Sequence, residues 1–287
     1  MPINPTEGMP KARELARVEN IADTLEAINR LTDSSDTFNC FRGHGSVTWL
    51  PFPSIFRQST RVTNSESLMV RDLVSRYPDQ FINDASMFDR LVRMQHFGLP
   101  TRLLDVTSNP LVGLYFAAAD CADEDGSLVI FRISSARKKY YDSDSVSCVC
   151  NLANLKLFEK ESIETTTATT ISAFMRINAA QRLYQFIREE KPHFRPELQK
   201  NDLFRQFYVV AKQNNPRIIA QNGAFLAFGL RHDDASSFRD EISSFSLRIP
   251  ASHKKAILRE LSSIGINAGT LFPEIDRAAS QIVASYS

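Results

Sequence analysis

Apolar positions along this chain recur in two periods, one helical and one alternating, and the switches between them mark the expected elements. From 12 to 31, Leu15, Val18, Ile21, Ala22, Leu25, Ile28 and Leu31 keep one helical stripe, so an amphipathic helix is expected there, after a loose tail at 1–9 and ahead of a break at 32–35. Residues 37–43 mix aromatic and short polar side chains and read as a strand ending at Gly43. The aromatic-rich run 49–57 predicts a turn with a short helix, and 65–76 a helix ended by Pro78. Phe88, Leu91, Val92 and Gln95 hold helical spacing up to His96, where Gly98 and Pro100 stop it. Leu103-Leu104 reads as a short buried segment with Arg102 and Asp105 at its ends, 109–121 as a helix, and 127–133 as a buried strand.

Residues 134–151, rich in Ser, Asp and Lys, predict a loop or surface excursion. Helical patterns fill 152–212, including 171–187 and 203–211. Asn222-Gly223, between the apolar runs 216–221 and 224–228, signals a hairpin or a bulged strand. Residues 245–249 alternate as a strand, 251–264 form a helix stopped by Gly265, and 275–282 a last helix. Strands at both ends around a helical block predict an α+β fold: a small mixed or antiparallel split sheet with flanking helices and an inserted helical block. The expected division is an N-terminal tail and helix (1–34), an α+β domain (35–133 with 213–287) and a mostly helical insertion (134–212).

Composition narrows the function classes. A chain of 287 residues with 43% hydrophobic content can bury one large core or two small ones. With 34 basic against 33 acidic residues and a net charge of +1, any attraction for an anionic ligand must be local. Cys148-Val149-Cys150 is too tight for a zinc knuckle and no His-x-x-x-His occurs, so no metal is expected. Cys40, Cys121, Cys148 and Cys150 read as free thiols of a reducing compartment, and the N-terminus lacks a signal-peptide pattern. No apolar run approaches the ~20 residues of a membrane helix, so the expectation is a cytoplasmic protein away from membranes. The Gly-rich dinucleotide fingerprint, the P-loop lysine motif and the Gly-x-Ser-x-Gly elbow are all absent.

What remains is concentrated in the stretch from Met94 to Pro110, where Gln95, His96, Thr101, Arg102, Asp105, Thr107 and Asn109 stand among apolar anchors more densely than core packing requires. Asp105, Thr107, Ser108 or Asn109 can each cap the helix that Pro110 opens, and a helix N-terminus favours an anion such as phosphate. Arg42, followed by Gly43, either braces the sheet against a carboxylate such as Asp105 or offers a guanidinium fork to phosphate or carboxylate. His96 is either a hydrogen-bonded structural residue or an acid–base group at a cleft. Gln221 lies at a plain turn or projects from a strand toward Arg42.

Phe41-Arg42-Gly43-His44 together with Gln95-His96-Phe97-Gly98-Leu99-Pro100-Thr101-Arg102-Leu103-Leu104-Asp105-Val106-Thr107-Ser108-Asn109-Pro110 and Tyr115-Phe116-Ala117 resembles the FRG domain. Val106 stands where Trp is usual in that family and His44 where Gln is common. The resemblance extends through Leu50-x-Pro-Ser-Ile-x-Arg57, Gly126 to Phe131, Gln221 to Phe225 and Leu271 to Asp276. A second resemblance links the aromatic-Arg-Gly, the Thr-bearing segment before a helix ending Tyr-Phe-Ala, and the late Gln to the three motifs of the Arg-type ADP-ribosyltransferases. It implies NAD as substrate, held by Arg42, Gly43, Thr101, Arg102, Thr107 and Tyr115, with Arg42, Asp105, Gln221 and His96 as the catalytic set. Residue 223 is Gly, so the third motif lacks its Glu; a neutral Gln221 cannot offset the charge of a ribosyl cation, and Asp105 is the expected substitute. The implied function is an NAD-using transferase or hydrolase of a bacterial toxin or phage-defence system. Its acceptor would be a nucleic-acid base, a protein or water, and a regulatory or antitoxin partner is expected. The alternative is a non-catalytic nucleotide- or nucleic-acid-sensing module.

Overall fold

The computed structural model describes residues 12–31, 36–230 and 242–273, and it opens with a strand, β1 (Arg13–Arg17), where a helix was expected. Ala, Arg, Glu and Leu favour helix, but here their backbone pairs in parallel with a late strand, and the Val18 N–H extends that ladder to the Arg248 carbonyl at 2.9 Å. Sheet pairing overrides propensity. The helix begins later, as α1 (Ile21–Asn29), where the Asn20 side chain accepts from the Asp23 N–H. Next come β2 (Thr37–His44), a single 3-10 turn at Ser54–Arg57, α2 (Thr60–Asn64) and α3 (Glu66–Arg76). Ser86 caps α4 (Met87–His96), and Gly98, at a φ of 84°, releases it into β3 (Leu103–Thr107). Then follow α5 (Pro110–Ala119) and β4 (Gly126–Ser134).

The middle of the chain corrects three expectations. Residues 134–151 are not a loop but hold β5 (Lys138–Tyr140) and α6 (Asp144–Asn151). Their Ser and Asp content conceals a stripe of Val146, Val149 and Cys150, all fully buried. The helical block continues through α7 (Leu157–Thr165), α8 (Ile171–Phe174) and α9 (Asn178–Glu190). The helix expected at 203–211 is instead β6 (Gln206–Val210), whose Phe207, Tyr208, Val209 and Val210 suit a pleated surface. No hairpin forms at Asn222-Gly223: Asn215 caps α10 (Pro216–Ala220), Asn222 takes a φ of 46°, and the chain enters β7 (Gly223–Phe228). β8 (Ile242–Ile249), α11 (Ala251–Ser263) and α12 (Ala268–Leu271) complete the description. The expectations at 1–9, 32–35 and 275–282 lie outside the described residues.

The fold is α+β, and its sheet is one mixed sheet of eight strands in the order β1-β8-β4-β2-β3-β7-β6-β5, larger than expected. The two edge pairs are parallel and the inner pairs antiparallel. The expected split survives as a seam. β2 pairs with β4 along its whole length, from Thr37 to His44, but touches β3 at one pair, Phe41 with Thr107. Past that pair the strands part, and 42–44 face 103–106 across a gap.

Three cores back the sheet, and a fourth fills the helical block. Phe41, Leu128, Ile130, Leu247 and Ile249 pack against Leu114 and Ala117 of α5 and Ile257 of α11. On the β3 side, Leu103, Phe207 and Phe225 pack against Phe88, Leu91 and Met94 of α4 and Val146 and Val149 of α6. Cys40, Leu104, Val106, Val129 and Leu226 form a third cluster with Phe52, Ile55 and Phe56. Leu152, Ile163, Phe174, Leu183 and Ile187 unite the helices of the block. Side chains alternate across each strand, so neighbours in the motif stretch must leave on opposite faces.

Candidate anion-binding cleft

Arg42 leaves β2 where the seam opens. Its Nη1 donates to the Asp105 main-chain carbonyl at 2.7 Å, its Nε donates to His44 Nε2 at 3.2 Å, and Nη1 stands 3.7 Å from the Asp105 carboxylate. The guanidinium thus satisfies a β3 carbonyl that has lost its strand partner. Burial pulls the Arg42 pKa below its ordinary value, and the charge of Asp105 opposes that pull. His44 lies beneath, 2% exposed. Its pKa falls to about 3, first through burial, then through the charges of Arg42 and Arg57, with a Trp49 backbone bond opposing. A neutral imidazole is what Arg42 requires, since only an unprotonated Nε2 can accept its N–H.

Asp105 is aimed by a chain of hydrogen bonds with a fixed direction. The Leu103 N–H donates to Thr101 Oγ1 at 3.2 Å, the Thr101 hydroxyl donates to Gln95 Oε1 at 2.5 Å, and Gln95 Nε2 donates to Asp105 Oδ2 at 2.6 Å. Thr101 receives the backbone proton and therefore passes its own to the amide oxygen, which turns the amide NH2 toward the carboxylate. The carboxylate itself remains 60% exposed at the mouth of the gap.

Arg42, Gln95 and Asp105 line a cleft of about 230 Å³ with Ser54, Arg57 and the backbone around Gly98 and Leu99. Arg57 ends the 3-10 turn and donates from Nε to the Phe52 carbonyl at 2.9 Å. Burial lowers its pKa first, and the neighbouring Arg42 charge adds to that effect. Two cations therefore face one carboxylate, a local positive excess on a nearly neutral chain. Nothing in the composition announces Arg57 or His44; the only signal was their place in the quoted motif blocks.

The other expected site residues are elsewhere or already occupied. Thr101 is buried and meets the cleft lining through Gln95, to which its hydroxyl donates, and through Ser54, whose Oγ accepts its N–H at 3.2 Å. Arg102, 1% exposed, makes a two-pronged ion pair with Glu66 at 2.9 and 2.5 Å and donates to the Phe228 carbonyl at 3.0 Å. Lys160 of α7 completes a triad at 2.6 Å from Glu66, whose pKa falls to about 2: these two cations and their hydrogen bonds outweigh the largest single effect, burial, which pushes it up. At Gly43 the room that a ligand would need is filled by α5: a Cβ there would stand 2.1 Å from the Gly113 carbonyl oxygen. Thr107 donates to the Gln221 carbonyl at 2.7 Å and accepts from the Asn109 N–H at 3.0 Å. Asn109 in turn accepts from the Leu111 N–H, and Pro110 has none to give, so the first two positions of α5 offer no free N–H to a ligand.

Gln221 follows α10 rather than sitting on a strand, and its amide donates to the Leu271 carbonyl at 3.0 Å. His96 is exposed and lines a separate groove of about 430 Å³ with Phe88, Arg93 and Lys212. Tyr115 is half-buried on α5 against Phe116. Of the expected set, the fold brings Arg42 and Asp105 together, and adds Gln95 and Arg57. Among the described residues no group of three or more His, Cys, Asp or Glu is placed to hold a metal ion, and no helix is long and apolar enough to cross a membrane.

Residues 38–126 match the model of the FRG domain family. The match runs from β2 to the first residue of β4 and contains every residue lining the cleft. Over this stretch the chain is similar to FRG domains, while Gln221 and the later blocks of the resemblance lie outside it. No curated protein and no solved structure matches the chain.

Proposed function

We propose that the cleft binds a phosphate-bearing nucleotide, NAD, and that Asp105 promotes release of nicotinamide in an ADP-ribosyl transfer or NAD hydrolysis. The observation that supports this is the parted seam, where Arg42, with Arg57 beside it, and an aimed, accessible carboxylate face one small space. Arg42 holds the anionic bridge of the dinucleotide. The C1′–N bond to nicotinamide breaks, and nicotinamide leaves with the bonding electron pair. The Asp105 carboxylate offsets the positive charge that develops on the ribose. Water or an acceptor hydroxyl then forms the new C1′–O bond and gives up a proton. A toxin or phage-defence role follows from the ADP-ribosyltransferase resemblance alone.

The test is incubation of the full chain with NAD while nicotinamide release is followed, with Asp105→Asn and Arg42→Ala beside it. Release by the parent that is lost in Asp105→Asn, with NAD binding retained, supports the enzyme reading. Binding without release favours the sensing-module reading, for which one observation speaks: Asp105 is the single carboxylate lining the cleft among the described residues.

A further inference from the structure

We propose that Arg57 is the second anion-holding residue of the cleft, and that it clamps with Arg42 a diphosphate group. This rests on the anion-binding part of the reading above and extends it to a residue that the motif argument left without a role.

The first support is the state of the donors. Arg42 uses Nε on His44 and Nη1 on the Asp105 carbonyl, while Arg57 uses Nε on the Phe52 carbonyl. Among the described residues, no hydrogen bond is made by Nη2 of Arg42 or by either Nη of Arg57. Both side chains are therefore fixed at Nε by protein acceptors, which leaves Nη2 of Arg42 and both Nη groups of Arg57 for the cleft they line. A guanidinium presents its N–H groups as a planar fork, which suits the oxygens of a phosphate.

The second support is charge. Two arginines in one small cleft repel each other, and a single carboxylate cannot neutralise both. Cations set deeper in this protein are met by protein groups: Arg102 and Lys160 share Glu66, and Lys254 donates to the carbonyls of Gly45, Asp120 and Cys121 at 2.7, 2.8 and 2.9 Å, whereas Arg42 is half-buried and Arg57 exposed at the cleft. Arg42 and Arg57 have one carboxylate between them, that of Asp105, so the cleft keeps an excess of one positive charge that a bound anion offsets. His44, kept neutral between them, adds no third cation and holds Arg42 by its lone pair.

A diphosphate reaches this protein either free or as the bridge of a dinucleotide, and the experiment separates the two. Binding of inorganic pyrophosphate, ADP, ADP-ribose and adenosine is titrated by calorimetry against the full chain and the variants Arg57→Gln and Arg57→Lys. Arg57→Gln removes the charge but keeps an amide able to reach the Phe52 carbonyl, and melting curves confirm that it folds. The expected result is that the three diphosphates bind and adenosine does not. Arg57→Gln should lower affinity about tenfold or more, as expected for loss of a charge-assisted hydrogen bond, and Arg57→Lys should recover part of it. The salt dependence should also flatten in Arg57→Gln, since one ion contact is gone. Equal affinity in the parent and a folded Arg57→Gln overturns the proposal, as does failure of the parent to bind any of the three diphosphates. Pyrophosphate binding without nicotinamide release from NAD would leave the clamp standing and remove the enzymatic reading.

Discussion

Two arginines of the same short motif system, Arg42 and Arg102, meet a carboxylate in opposite ways. Arg102 is sealed with Glu66 and Lys160, and the triad joins α3, the start of β3 and α7. Arg42 meets an Asp105 that is more than half exposed, at a gap in the sheet. The sequence separates Arg102 from Asp105 by two residues, yet strand alternation sends them to different faces and environments. A charged residue in a signature thus serves the fold when its partners are complete, and is a candidate for a ligand only when donors are left over.

Breaking the closed side should have the largest effect. Glu66→Ala leaves two buried cations unpaired and should cost about 3–5 kcal/mol of stability, read from urea unfolding. Replacing the triad together, Glu66→Leu with Arg102→Met and Lys160→Met, should recover most of that loss, because the cost comes from the uncompensated charge. Arg42→Ala should do the reverse: nucleotide affinity falls below detection by calorimetry, while stability drops by only about 1–2 kcal/mol, since its ion-pair partner is exposed. A loss in Arg42→Ala as large as in Glu66→Ala would erase the contrast.

Acid sharpens it further. Folded His44 stays neutral to about pH 3, whereas an unfolded chain protonates it near 6.5. Between those values the unfolded state carries the extra proton, so stability is full above pH 6.5 and declines as pH falls, by about 1.4 kcal/mol per unit. Glu66, at about 2 folded against 4.5 unfolded, adds a decline of the same sign below pH 4.5. His44→Gln should flatten the branch between 6.5 and 4.5 in a pH series of melts and make the decline below 4.5 shallower, leaving there the part due to Glu66. The smallest effect belongs to His96→Ala, outside the cleft: NAD binding unchanged, and stability within about 0.5 kcal/mol.

Much of this was legible in the chain. The α+β class, the strand at 37–43, the helix ending at His96 and the helices expected at 109–121 and 251–264, found at Pro110–Ala119 and Ala251–Ser263, followed from periodicity and stop signals, and the meeting of Arg42 with Asp105 from their chemistry. Two of the failures share a cause, which is long-range pairing. β1 and β6 are strands because β8 and β7 lie beside them, and no local propensity reports a partner more than a dozen residues away. Gln221 looked strand-borne because Asn222-Gly223 resembles a hairpin turn, but Pro216 with its Asn215 cap was the stronger signal for a helix. Gly43 looked like room for a ligand, and it is room for α5.

The single pair that joins β2 to β3 also sets the mechanics of the sheet. Where β2 meets β4, eight successive residue pairs share any load; where it meets β3, Phe41 and Thr107 carry it alone. Under tension the sheet should part there first, as a zipper opens at its last tooth. Arg42 spans the opening and spot-welds it to the Asp105 carbonyl. On the proposed reading, an anion gripped from the same side would act as a rivet, and amide exchange in β3 should slow when pyrophosphate is added.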